Sequence, residues 1–198
     1  MTTLKVNEIF YSLQGEGARS GEASIFIRLS GCNQSCKFCD TDWQAGRNMS
    51  LQDIVKEIQQ YPCKWIVWTG GEPTLQLTDF IIDYFHASGY RQAIETNGTN
   101  YIPEKIDYVV CSPKEGIDYD QLYLISQKRK IDELRLVFPF VINPHLLPNC
   151  TIKYISPLFD GNVNFKINKE NVHDAVDFCM KHPEYRLSIQ IHKLLNFK

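Results

Sequence analysis

The sequence predicts an α/β protein built on a mostly parallel, curved sheet that stays open, a partial barrel. Three observations carry that expectation. Short runs rich in β-branched and aromatic residues recur along the chain, and amphipathic runs at helical spacing lie between several of them. Strands that alternate with helices favour right-handed β-α-β units and therefore parallel pairing. At 198 residues the chain is short for a closed eight-unit barrel, which takes about 250.

The elements follow in chain order. The run 24–29 (SIFIRL) reads as a strand. Ser50 then stands as an N-cap before Leu51, Ile54, Val55 and Ile58, with Asp53 three residues on. The strand 65–68 follows. A second helix carries Leu77, Phe80, Ile81, Tyr84 and Phe85 on one stripe and stops at Gly89. Strands are expected at 92–95 and 108–111, a weaker helix over 120–130, and strands at 134–138 and 152–155. Val172, Ala175, Val176 and Cys179 form a last helical stripe ended by Pro183, which makes Cys179 a core residue. A strand at 187–191 closes the series.

Composition sets broad limits. Hydrophobic residues make up 43% and charged residues 22%, ordinary values for one globular domain with a single core over residues 1–198. No apolar run approaches bilayer length. The first residues carry no apolar export segment, so a cytoplasmic location is expected, and unpaired thiols suit it. The net charge of −2, without a basic block, argues against broad nucleic-acid binding. A small anionic substrate needs only one or two local cations.

Polar motifs collect where strands end. The run 65–68 leads into Thr69-Gly70-Gly71-Glu72-Pro73, 92–95 into Thr96-Asn97-Gly98, and 108–111 into Ser112-Pro113-Lys114. The run 152–155 leads into Ser156-Pro157, and 187–191 into His192-Lys193. Ligands of parallel α/β folds bind at the C-terminal edge of the strands, so five such motifs describe one pocket. Gly70 and Gly71 permit close backbone approach, and Glu72 offers a carboxylate to an ammonium group. Taken alone, that motif is also a plain turn.

Cys32-Asn33-Gln34-Ser35-Cys36-Lys37-Phe38-Cys39 puts three thiols in one loop at the same rim. A cubane 4Fe–4S cluster usually takes four cysteines, and three leave one iron open to a ligand. A structural zinc site needs a fourth ligand, and Cys63, Cys111, Cys150 and Cys179 are scattered singly. A disulfide framework fits poorly with seven cysteines in a chain of this size.

The CxxxCxxC spacing resembles the signature of the radical S-adenosylmethionine (SAM) superfamily. Ile9-Phe10-Tyr11-Ser12-Leu13-Gln14-Gly15-Glu16-Gly17, Phe26-Ile27-Arg28-Leu29-Ser30-Gly31-Cys32 and Cys39-Asp40-Thr41 narrow the likeness. With Gln190-Ile191-His192-Lys193 they resemble the 7-carboxy-7-deazaguanine synthases, from Phe10 to Lys193. The resemblance implies a radical-SAM partial (β/α) barrel with a shortened β6/α3-type core. It implies ring contraction of 6-carboxy-5,6,7,8-tetrahydropterin with loss of ammonia, started by a 5′-deoxyadenosyl radical that takes hydrogen from C6. SAM is regenerated at the end. It further implies one 4Fe–4S cluster per chain, Mg²⁺, an electron donor such as a flavodoxin, and a homodimer.

Residue roles follow from the matched motifs. Cys32, Cys36 and Cys39 hold the cluster. Phe38, Cys39, Asp40, Glu72, Gly98, Ser112, Pro113 and Lys114 form the SAM site, and Thr41 is a magnesium ligand. Leu13, Gln14, Gly15, Glu16, Arg28 and Thr96 contact substrate. Arg28 interrupts an apolar strand, and a planar guanidinium grips a carboxylate well; a structural ion pair is its other reading. Glu16 suits the amidine-like edge of a pterin. One departure stands out: many relatives carry Gln-Pro where this chain has Ser156-Pro157-Leu158-Phe159-Asp160. Two other readings share part of the signal, a glycyl-radical activase and a non-catalytic zinc or iron–sulfur module.

Overall fold

The computed structural model describes residues 2–139, 142–160 and 167–198. Its strands are β1 (Thr3–Leu13), β2 (Ala23–Leu29), β3 (Arg47–Ser50), β4 (Trp65–Gly70), β5 (Arg91–Thr96), β6 (Tyr108–Cys111), β7 (Glu133–Phe138), β8 (Ile152–Pro157) and β9 (Tyr185–Leu187). The helices are α1 (Leu51–Ile58), α2 (Asp79–Ala87), α3 (Tyr119–Lys128), α4 (Lys169–Lys181) and α5 (Ile191–Leu195). The strands form one sheet in the order β3-β1-β2-β4-β5-β6-β7-β8-β9. β2 and β4 to β9 run parallel; β1 runs antiparallel to both β2 and β3. The α/β, mostly parallel expectation therefore holds, with the short β9 and the antiparallel pair added at the edges.

The sheet is strongly curved, and chain geometry requires it. Gly17 lies only four residues beyond the end of β1, a reach of about 14 Å at full extension. A flat sheet would put β9 about 33 Å from β1, seven strand spacings away. Yet Gly17 N–H donates to Ser188 Oγ, just after β9, at 2.9 Å, and Ala18 N–H donates to Glu133 Oε2 at the start of β7 at 3.0 Å. The β1–β2 turn thus folds into the concave side and plugs the lower end of an open barrel.

Side-chain alternation along each strand separates the two faces. Outward residues Ile25, Ile27 and Leu29 of β2, Ile66 and Trp68 of β4, and Ile94 of β5 pack with Ile54, Ile58, Ile82 and Phe85 from α1 and α2. Trp68 meets Phe85 edge to face at 5.0 Å. Its indole N–H donates to Gln92 Oε1 at 3.0 Å, and Gln92 Nε2 donates to Ile82 O at 2.8 Å, so this buried amide is satisfied. Inward residues Phe26, Val67 and Ala93 form a small second cluster with Phe10, Trp65 and Tyr108. Other inward positions include Arg28, Thr69, Glu95, Glu133, Arg135 and Ser156, with Val110 and Val137 as apolar neighbours among them.

Local signals explain the helix boundaries. Ser50 Oγ accepts from Asp53 N–H at 3.1 Å as the N-cap of α1, a contact of about 1 kcal/mol. Gly89, at φ +83°, ends α2. Three stretches differ from the sequence reading, one of them the short edge strand β3, which was not anticipated. β1 was not anticipated, because a register shift between Val6 and Glu8 breaks its alternation. The run 187–191 is only partly strand: β9 stops at Leu187, and Ile191 opens α5, its N–H donating to Gly15 O at 3.0 Å.

Candidate active site

A cavity of about 890 Å³ opens on the concave face at the C-terminal edge of the strands. Its wall includes Cys32, Cys36 and Cys39, and its lining reaches across to Arg28, Glu16 and Ser156. The strand-end motifs do converge on one pocket, as parallel topology demands.

The cysteine loop is seated by backbone contacts. Gly31 N–H donates to Trp43 O at 2.9 Å, and Glu72 N–H donates to Gly31 O at 2.9 Å. A Cβ on Gly71 would overlap the Gly31 carbonyl, so only glycine lets the turn after β4 lie against this loop. All seven cysteines are free thiols. Burial pushes the Cys32 and Cys36 thiols above their ordinary range; nearby Glu72 adds to this for Cys32, while Lys114 opposes it for Cys36. Among the described residues, no three His, Cys, Asp or Glu side chains converge closely enough to hold one metal ion. Cluster thiolates each bind a different iron and need a shared space rather than a shared point. Three thiols on one cavity wall meet that requirement. Cys63, Cys111, Cys150 and Cys179 belong to the core or pack against it.

Glu72 sits differently from its sequence assignment. Its side chain is buried and does not line the cavity. Oε1 accepts from Thr74 N–H at 3.0 Å, Thr74 Oγ1 at 2.6 Å and Thr96 Oγ1 at 2.8 Å; Oε2 accepts from Asn97 N–H at 2.7 Å. The carboxylate ties the turns after β4 and β5 together, and Gly70 and Gly71 line the cavity in its place. Gly98 also lies behind the wall, at φ +78°, where a Cβ would stand 2.6 Å from Cys111 Sγ. Pro113 is likewise outside the lining, whereas Ser112 and Lys114 face it. Lys114 Nζ donates to Ser112 Oγ, and burial lowers its pKa.

Arg28 makes the structural ion pair that was its other reading, and it also faces the cavity. Its Nε pairs with Glu8 Oε1 at 3.0 Å and its Nη1 donates to Thr41 Oγ1 at 3.2 Å, yet it lines the cavity. Thr41 Oγ1 in turn donates to Asp40 Oδ1 at 3.4 Å. Asp40 Oδ2 pairs with Lys193 Nζ of α5 at 2.5 Å. Burial alone would raise the Asp40 pKa; Lys193 reverses this and holds it low. Phe38 is partly exposed and also lines the cavity.

The plug formed by the β1–β2 turn makes the floor. Leu13, Gln14, Gly15 and Glu16 all line it. Gly15 is needed because any Cβ would overlap the His192 ring, which α5 lays against it. Burial lowers the His192 pKa. Gln14 Nε2 donates to Glu95 Oε1 at 2.9 Å. Ser156 Oγ donates to Glu16 Oε1 at 2.7 Å, and residues 156–160 all border the cavity. Thr96 lines the cavity with its hydroxyl committed to Glu72.

Sequence reasoning missed Glu95, Glu133 and Arg135. Arg135 is buried and its guanidinium meets all three carboxylates of Glu16, Glu95 and Glu133, at 3.3, 3.2 and 2.7 Å. They hold it charged against the penalty of burial. The signal was present: a glutamate and an arginine two apart in the apolar strand ELRLVF, the same anomaly that marks Arg28.

Comparison with known proteins converges on one family. Residues 26–110 match the model described as the Radical SAM superfamily. The chain is 40% identical over 195 residues to the 7-carboxy-7-deazaguanine synthase of Bacteroides thetaiotaomicron, covering 98% of each. It is 37% identical over 218 residues to the Bradyrhizobium diazoefficiens enzyme of the same name, again covering 98% of each. In fold it resembles the crystal structure of QueE from Escherichia coli, with a TM-score of 0.71 at 23% identity, covering 95% of this chain and 94% of that one.

Proposed function

The chain belongs to the 7-carboxy-7-deazaguanine synthases of the radical SAM superfamily, and on that premise we propose that it converts 6-carboxy-5,6,7,8-tetrahydropterin to 7-carboxy-7-deazaguanine. The ring contracts and one ammonia leaves, which balances the atoms. The observation that carries the proposal is one shared cavity at the strand ends. At about 890 Å³ it lies at the upper end of ligand pockets and has room for SAM and a bicyclic substrate together. Its wall carries the three cysteines and its floor carries Gln14, Glu16 and Arg28.

Cys32, Cys36 and Cys39 would hold a 4Fe–4S cluster. When bound there, it supplies the electron that splits SAM into methionine and a 5′-deoxyadenosyl radical. The chain's own residues bind, orient and exclude. Phe38, Asp40, Ser112 and Lys114 border the volume next to the cysteines that SAM would fill. Glu72 and Gly98 shape that wall from behind, and Pro113 fixes the turn carrying Ser112 and Lys114. Arg28 receives the substrate carboxylate, while Leu13, Gln14, Gly15 and Thr96 border the ring. Thr41 offers one hydroxyl oxygen to Mg²⁺; a hard cation preferring six oxygens would take the rest from substrate and water. α5 and the residues after it line the cavity, and Lys193 ties α5 to the cysteine loop, which limits water access to a radical.

The same reading has the chain act as one catalytic domain over residues 1–198, as a cytoplasmic homodimer fed by a flavodoxin-type donor. No helix among the described residues is long and apolar enough to cross a membrane. The test is direct. Anaerobically reconstituted protein is given reductant, SAM, Mg²⁺ and 6-carboxytetrahydropterin, and 7-carboxy-7-deazaguanine and ammonia are measured. An intact cluster with SAM cleavage but no deazapurine would refute the assignment. Zinc at one per chain and no SAM binding would refute the whole radical chemistry.

A further inference from the structure

The carboxylates on the floor outnumber the guanidinium that holds them. Arg135 Nε and Nη2 both donate to Glu133 Oε1, at 3.0 and 2.7 Å, so the fully buried Glu133 takes the tightest share. Glu16 and Glu95 share Nη1, and the Lys114 ammonium also acts on both carboxylates. The two are not equivalent. Glu16 has one donor on each oxygen, Ser156 Oγ and Arg135 Nη1. Glu95 has both of its donors, Gln14 Nε2 and Arg135 Nη1, on Oε1. Among the described residues no donor reaches Glu95 Oε2. The Glu95 side chain keeps 27% of its surface exposed, and the residue lines the cavity. Each carboxylate oxygen can accept about two hydrogen bonds, and an unfilled one inside a cavity calls for a ligand N–H.

Sheet register sets the distance from this oxygen's residue to Arg28. Arg28 pairs with Thr69, and Trp68 pairs with Ile94, so Arg28, Thr69 and Glu95 form one row at equal height on the inner face. Two strand spacings separate the ends of the row, about 9.6 Å. That is the scale of a bicyclic heterocycle with a carboxylate at one end and a donor edge at the other.

Resting on the carboxytetrahydropterin reading, we infer that Glu95 is the specificity-determining residue that accepts N–H bonds from the 2-amino and N3 edge of the pterin, while Arg28 holds the carboxylate. Glu16, expected from sequence in this role, already has one donor on each oxygen, whereas Glu95 has an oxygen with none among the described residues. The donor edge is the same in substrate and product. The contact is therefore uniform binding, and losing it raises KM without lowering kcat.

The test is Glu95→Gln in the cluster-reconstituted enzyme. KM for 6-carboxytetrahydropterin should rise about tenfold or more, the scale of a lost charge-assisted hydrogen bond, with SAM affinity unchanged. The corresponding 6-carboxytetrahydrolumazine has an oxygen in place of the 2-amino group. It should inhibit wild type poorly and the glutamine variant relatively better, because the amide can turn its NH₂ toward that oxygen. Glu95→Asp keeps the charge and should keep the preference for the pterin; it also serves if the glutamine variant folds badly. A KM within about twofold of wild type, an unchanged preference over the lumazine, or SAM affinity falling in step with KM each overturns the inference. If wild type makes no product, the pterin reading fails and takes this inference with it. An active wild type with an indifferent Glu95→Gln overturns the inference alone.

Discussion

Replacing Arg135 by Met tests whether the buried ion cluster organises the floor. The arginine side chain is 5% exposed and faces Glu133 at 1%, Glu16 at 14% and Glu95 at 27%. Methionine fills similar space but leaves three carboxylates without their common cation. Breaking a buried pair by removing one partner costs about 3–5 kcal/mol. In a domain of this size each kcal/mol moves Tm by about 2–4 °C, so a fall of about 10 °C is expected. The pH dependence gives a second, independent readout. Burial alone would raise the Glu95 pKa; Arg135, helped by the Gln14 amide, reverses this and holds it below the ordinary range. A carboxylate held low stabilises the fold above its unfolded pKa and loses that contribution as pH falls through its folded pKa. The stability gap between wild type and Arg135→Met should therefore be widest near neutrality and close as pH is lowered toward about 4. Thermal melts of both proteins at several pH values, in the same cofactor state, measure it. A Tm within about 2 °C of wild type at neutral pH, or a gap that widens in acid, would refute the reasoning.

Other consequences are as specific. Arg28→Ala should raise KM for the carboxylated substrate by about ten- to a hundredfold and leave SAM binding intact; steady-state kinetics with a separate SAM titration decides, and lost SAM binding would make Arg28 structural. Gly98→Ala should destabilise the fold by about 2–4 kcal/mol in urea titrations, since φ is +78° and the new Cβ would stand 2.6 Å from Cys111 Sγ and 2.8 Å from Leu122. Alanine at Cys32, Cys36 or Cys39 should abolish the cluster's visible absorbance and SAM cleavage, whereas Cys179→Ala should alter neither; iron content and absorbance check this.

Much of the fold was legible because its signals are local. Strands such as 108–111 declare themselves by continuous apolar runs, and α1 by a Ser cap followed by residues at helical spacing. β1 escaped because a bulge breaks its period, and the end of β9 because an apolar run does not say where a strand turns into a helix. The site was legible in the same uneven way. Cys32, Cys36 and Cys39 lie within eight residues, and their spacing alone argues a shared ligand. Glu72 was read as a ligand contact from its motif, yet four donors from its own turn and the one after β5 take its carboxylate.

The sequence alone determined the α/β class, the strand-end clustering of polar motifs, the three-thiol loop and the family, since each is written in contiguous residues. Only the tertiary structure decided what forms the floor. Curvature brings the β1–β2 turn to β7 and β9, and so joins Glu16, Glu95 and Arg135 across up to 119 positions of sequence. No local period encodes that meeting. It depends on which inward positions of different strands reach the same height, a property of sheet register and closure rather than of any one segment.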